Sequence, residues 1–140
     1  VVVTRLEGII VPPNTETGRR GEFLAAYILE SYGIECHHVN RQGADLWCLV
    51  HDRVVTVEVK AASQPAKDGR DAKTGRVRHY NHYQFFTGKK TADFSCFVAL
   101  DRQVLLVKPA ALIVSATTRI SVPEFNEANQ RRTIEEMINP

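Results

Sequence analysis

The strongest constraint on the fold comes from the middle of the chain. Residues 53–60 alternate: Val55, Val57 and Val59 fall on one side, Thr56, Glu58 and Lys60 on the other. Residues 45–51 form a second strand candidate just before them, with little more than Asp52 between the two runs. Strands joined so tightly pair as a hairpin, and the turn fixes their register. With Asp52-Arg53 as a two-residue loop, His51 faces Val54, and counting back sets Asp45 opposite Lys60. Glu58 and Lys60 lie about 7 Å apart along one face. Opposed residues share a face, so Asp45, Glu58 and Lys60 are expected to converge at one end of the sheet.

The other elements assemble around that hairpin. Ile9-Ile10-Val11, stopped by Pro12-Pro13, reads as an arm or edge strand. Leu24, Tyr27 and Ile28, with Phe23 beside them, give residues 19–32 a helical stripe that Gly33 ends. A strand over 34–39 leads into Asn40-Arg41-Gln42-Gly43, which has turn chemistry. Residues 62–79 carry Pro65, Gly69 and Gly75 and read as a long loop. The spacing of Tyr80, Tyr83 and Phe86 predicts a second helix over 81–87 ending near Gly88, with Tyr83 and Phe86 in the core. Strands over 94–100 and 104–108 follow, joined at Asp101-Arg102-Gln103. Ser121-Val122-Pro123-Glu124 has capping-box spacing and predicts a terminal helix over about 122–138. No repeat or linker divides the chain. The expectation is one α/β domain over residues 1–140, built on a mixed sheet.

Composition excludes several classes. With 44% hydrophobic and 24% charged residues the chain is not disordered. A domain of 140 residues buries about two-thirds of its unfolded surface and needs no disulfide or metal to fold. No apolar run approaches the roughly 20 residues of a membrane span, and Arg5 and Glu7 interrupt the opening valines where a signal peptide would stay apolar. Cys36, Cys48 and Cys96 are odd in number and far apart, and read as buried free thiols of a reducing cytoplasm. Cys36-His37-His38 and Cys48 with His51 are poorly spaced for zinc on strands, so a zinc protein is the weakest of the functional alternatives.

Two carboxylates and an ammonium in one small volume suit metal-assisted hydrolysis. Asp and Glu oxygens are hard ligands for Mg²⁺, which joins one or two carboxylates to substrate phosphates. Lys60 would position or deprotonate water, or offset charge developing on phosphate. The plainer alternative is that Asp45 serves a turn and Glu58 and Lys60 form a weak surface pair. Glu22, early in the first helix, admits both a functional role and simple complementarity to the helix dipole. Lys67, Arg70, Lys73, Arg76 and Arg78 outweigh Asp68 and Asp71 within residues 62–79, an excess of three positive charges. The whole chain has a formal charge of +2, so the remainder is near −1. Such a segment suits a phosphate backbone, with Tyr80, His82 and Tyr83 next to it.

Glu22 on a leading helix, Asp45, and Glu58-Val59-Lys60 across a tight hairpin resemble the PD-(D/E)XK nuclease superfamily. The nearest likeness is to Holliday junction resolvases and to phage and intron-encoded homing endonucleases. The resemblance spans residues 18–108 and implies a restriction-endonuclease-like domain, a mixed β-sheet with an αβββαβ core flanked by helices. It implies a metal-dependent DNA endonuclease in which Asp45, Glu58 and the Val59 carbonyl hold Mg²⁺, with Mn²⁺ able to substitute. Lys60 would be the catalytic lysine, Glu22 an assisting acid, and Gln84, on the second helix, a further catalytic residue. Ala44 stands where the superfamily's name has proline. The implied partner is branched or duplex DNA, bound by a homodimer in the cytoplasm, with a phage, bacterial or archaeal origin. The alternative is a nucleic-acid-binding subunit that keeps the nuclease fold without turnover.

Overall fold

The computed structural model describes residues 13–41, 43–67, 69–78, 81–88 and 91–140. The apolar run expected at 9–11, Gln42, Asp68 and Tyr80 lie outside the described residues. Helix α1 (Pro13–Ser31) precedes β1 (Glu35–Arg41), β2 (Ala44–Val50) and β3 (Arg53–Ala62). A short ribbon of β4 (Gly69–Arg70) and β5 (Val77–Arg78) follows, then β6 (His82–Phe86), β7 (Phe94–Ala99), β8 (Val104–Pro109), β9 (Thr117–Ser121) and helix α2 (Glu127–Ile138).

Helix α1 ends as its sequence dictates. Gly33 takes φ +85°, its N–H reaches the Glu30 carbonyl, and the Ile34 N–H reaches the Leu29 carbonyl. That pair of bonds is the Schellman closure. The β2–β3 turn differs by one residue from expectation. His51 and Asp52, at φ 47° and 63°, form the loop, and Val50 pairs with Arg53. A two-residue hairpin turn of this hand needs two left-handed residues, which His and Asp tolerate better than most side chains.

The main sheet has the order β1-β2-β3-β7-β8. Only β3 and β7 run parallel among its neighbours, so the sheet is mixed as expected. One face carries Leu46, Cys48, Val55, Val57, Val59, Cys96, Val98, Leu105 and Val107 into a core with Ala25, Ile28 and Leu29 of α1 and Ile134 and Met137 of α2. Alternate residues of β7 and β8, namely Phe97, Ala99 and Leu106, point the other way into a second core. Helix α2 also finishes the sheet edge: Gln130 Oε1 accepts from the Leu105 N–H at 3.0 Å and Thr133 Oγ1 from the Val107 N–H at 3.1 Å. Backbone donors that would otherwise be left on an edge strand are thereby satisfied.

The helix expected over 81–87 is a strand. β6 pairs antiparallel with β9, from His82↔Ser121 to Phe86↔Thr117. Tyr83 and Phe85 are buried, and Phe86 is 72% exposed, which is period two and not period three. Phe85 and Phe125 pack around Tyr83, whose hydroxyl donates to Asp101 Oδ1 at 2.7 Å. The terminal helix also starts later than its capping box suggests. Residues Val122–Glu124 make a 3-10 turn with no side-chain cap from Ser121. Phe125, buried in the second core, leaves the helical region at φ −80° and ψ 78°, and Asn126 caps α2 by accepting from the Asn129 N–H at 2.8 Å. No helix among the described residues is long and apolar enough to cross a membrane.

Candidate active site

The β2–β3 ladder runs from Val50↔Arg53 to Leu46↔Val57. Carried one step further, that register sets Asp45 across from Glu58, not Lys60. The shift moves the partner by two positions, so the face is unchanged and the three side chains still converge. Past Leu46 the pairing changes character. Asp45 Oδ2 accepts the Val59 N–H at 2.7 Å, so a side chain takes the donor a backbone carbonyl would normally take. In a strand, the N–H and C=O of one residue point to the same side, which directs the Val59 carbonyl into the same gap.

Lys60 Nζ lies 2.6 Å from Glu58 Oε1, with side chains 33% and 14% exposed. Both stand beside β7, Glu58 opposite Ser95 and Lys60 opposite Phe97. Phe97 belongs to the second core, so Lys60 sits where that core's cover ends. Burial raises the proton affinity of Asp45; the Val59 N–H opposes this, Glu58 adds to it and Lys60 lowers it. Glu22 is raised as well, by burial and then by Asp45, with Arg19 lowering it. Glu22 and Asp45 are therefore close enough to repel.

What brings Glu22 there is Gly21. A Cβ on Gly21 would lie 2.5 Å from the Ala61 Cβ, so only glycine lets α1 rest this tightly on the end of β3. A cleft of about 300 Å³ opens beside Glu22, lined by Arg19, Glu22, Phe23, His38 and Val39. Phe23 and His38 meet with ring centroids 4.8 Å apart. Arg19 and His38 were not singled out from the sequence for this cleft. The only signal was parity: His38 pairs with Leu46 and so shares the face that α1 covers.

Gln84 lies on β6, opposite Arg119, and not on a helix. Among the described residues no hydrogen bond or ion pair joins it to the acids. The segment read as an unstructured loop is a small hairpin. Arg70 pairs with Val77, the Asp71 carboxylate caps the turn by accepting from the N–H groups of Lys73 and Thr74, and Gly75 adopts φ +70°. Lys67, Arg70, Lys73 and Arg76 are exposed. The Arg78 backbone belongs to β5, and its side chain lies outside the described residues. Among the described residues no group of three or more His, Cys, Asp or Glu is placed to cage a metal ion. The groups nearest the end of the ladder, the Asp45 and Glu58 carboxylates and the Val59 backbone, offer oxygen donors, the kind that suits a hard, partly hydrated cation.

A five-stranded mixed sheet with α1 and α2 on one face defines an α/β fold, and the acids gather at the end of the β2–β3 ladder away from its turn. The chain is similar in structure to the bacterial homing endonuclease I-Ssp6803I, with a TM-score of 0.56 over 76% of this chain and 74% of that one. Sequence identity is 16%, so the likeness is one of fold. No family model matches the sequence, and no curated protein does.

Proposed function

We propose that the protein is a metal-dependent DNA endonuclease of the PD-(D/E)XK kind, resolvase-like or homing-type. The observation that carries this reading is the gap at the end of the β2–β3 ladder, where Asp45 grips the Val59 N–H beside the Glu58–Lys60 pair. Residues 1–140 act as one nuclease domain, with residues 18–108 as its core. Asp45, Glu58 and the Val59 carbonyl would hold Mg²⁺, or Mn²⁺ in its place. When bound, such a cation supplies Lewis acidity at the phosphate and a more acidic water.

The chain's own groups do the rest. The Val59 N–H fixes the Asp45 carboxylate, so one of its oxygens stays turned toward the gap. Lys60 leaves Glu58 for the substrate and offsets charge on the phosphate oxygens. Glu22 orders the attacking water from the helix side. Gln84 would be the further catalytic residue, reaching the site from strand β6 instead of a helix. Lys67, Arg70, Lys73, Arg76 and Arg78 clamp the backbone of branched or duplex DNA, contacts that carry no base code. One site per chain implies a homodimer for a two-strand cut. The setting is the cytoplasm, with a phage, bacterial or archaeal origin.

The test is a cleavage panel of four-way junction, flap, nicked and linear DNA with Mg²⁺ and Mn²⁺. The parent cuts at least one substrate, and Lys60→Ala loses about 100-fold or more in rate. A Lys60→Ala variant that cuts as well as the parent removes the mechanism. A parent that binds DNA equally with and without Mg²⁺ and leaves it intact is a non-catalytic binding subunit.

A further inference from the structure

Cys36 and Cys48 are directly opposed across β1 and β2, and their Sγ atoms lie 3.5 Å apart. Opposed Cα atoms of an antiparallel pair are about 4.5–5.5 Å apart, inside the range a disulfide spans. Cys36 is half-buried and Cys48 fully buried, so a small oxidant meets Cys36 first. Neither thiol has a part in the site above: both face α1, on the other side of the sheet from Glu58 and Lys60.

We propose that Cys36 and Cys48 form a peroxide-responsive dithiol. The Cys36 thiolate attacks one oxygen of hydrogen peroxide, the O–O bond breaks, and the departing hydroxide takes a proton to leave as water, giving a sulfenic acid. Cys48 sulfur then attacks Cys36 Sγ, the S–O bond breaks, and hydroxide leaves with the Cys48 proton as a second water. Two thiols lose two electrons and two protons, and one peroxide becomes two waters.

The local chemistry assigns these roles. The Cys48 thiol, by hydrogen bonding, holds the Cys36 thiol below its ordinary value, against burial and Glu30. Cys48 is pushed up first by that same hydrogen bond and then by burial, so it keeps its proton while Cys36 reacts first. Cys96 is fully buried and pushed up by burial, so it stays a thiol. The bridge would close a loop that holds the Gly43 turn and Asp45, fastening the β1 strand to the strand that bears the acid. The proposal stands apart from whether the site cuts DNA.

The experiment treats the folded 140-residue chain with hydrogen peroxide, alkylates remaining thiols, digests and identifies peptides by mass. The expected result is a Cys36–Cys48 cross-linked peptide, alkylated Cys96, and a raised melting temperature that a thiol reductant reverses. Cys48→Ser should stop at a Cys36 sulfenic acid that dimedone traps. Recovery of Cys36 and Cys48 as alkylated thiols, Cys36 as sulfinic acid without a link, or Cys36 joined between two chains would each overturn the proposal. Because the parent alone decides the cross-link, a Cys48→Ser variant that folds poorly leaves the test intact.

Discussion

The two ends of the main sheet are put to different uses. On β7 and β8 both faces are covered, one by the helices and the other by the β6–β9 layer through Phe97, Ala99 and Leu106. On β2 and β3 the helix-side face is equally buried, but the opposite face leaves Trp47, Leu49 and Val54 exposed. Toward the end of that open face come Asp45, Glu58 and Lys60. The covered half stabilises the fold. The half-covered one accepts charges that disfavour folding, because water and a missing ladder bond leave them room. Asp45, on that face, holds its proton more tightly than a free carboxylate does, first because it is buried, and Glu22 does the same from α1 at the sheet's end.

The largest expected effect breaks the covered half. Phe97→Ala should destabilise by about 3–5 kcal/mol, read as a shifted urea midpoint. Leu49→Ala, on the exposed face, should stay within about 1 kcal/mol; equal losses would remove the distinction between the halves. Next comes Gly21→Ala. Pushing a methyl into Ala61 should cost about 1–3 kcal/mol and carry Glu22 away from Asp45, so any cleavage activity should fall further than stability does.

Asp45→Asn sharpens the comparison by its sign. The folded carboxyl is raised above its ordinary 3.8, so its contribution is fully present in acid and is lost as pH rises through the folded value. The Asn variant keeps an acceptor for the Val59 N–H and escapes that loss. Its melting temperature should gain on the parent's between strongly acidic and neutral pH, while any Mg²⁺-dependent stabilisation disappears. A variant less stable than the parent at neutral pH and more stable in acid would reverse the electrostatic account.

Much of this was legible because strand alternation is a local signal. Val55, Val57 and Val59 announce their face, and a one-residue error at the turn could not move Asp45 to the other one, since parity survives a shift of two. The β6 strand was not legible for the opposite reason. Aromatic spacing at 80, 83 and 86 imitates a helix, and what decides for a strand is β9, some 35 residues downstream, a pairing that no window can contain. The grip of Asp45 on the Val59 N–H was hidden as well. It depends on where the ladder stops, and residue types do not say that. Nor could sequence place His38 against Phe23, because the contact belongs to the packing of α1 on β1.

The smallest effect on folding falls on the β4–β5 hairpin, and there binding separates from stability. Lys67 and Lys73 are exposed. The Lys73 backbone N–H, not its ammonium, serves the Asp71 turn. Lys67→Ala and Lys73→Ala should therefore change folding free energy by less than about 0.5 kcal/mol. If these ammonium groups meet phosphates, each replacement should reduce the slope of log affinity for duplex DNA against log salt by about 0.9. Arg70 tests the hairpin itself, because its Nη1 donates to the Gly75 carbonyl at 3.2 Å. Arg70→Lys keeps the charge and loses the fork, so it should preserve the salt slope while loosening the turn. A slope unchanged by both lysine substitutions would take the proposed DNA path off this hairpin and leave the acids at the end of β3 to be approached from the cleft beside Glu22.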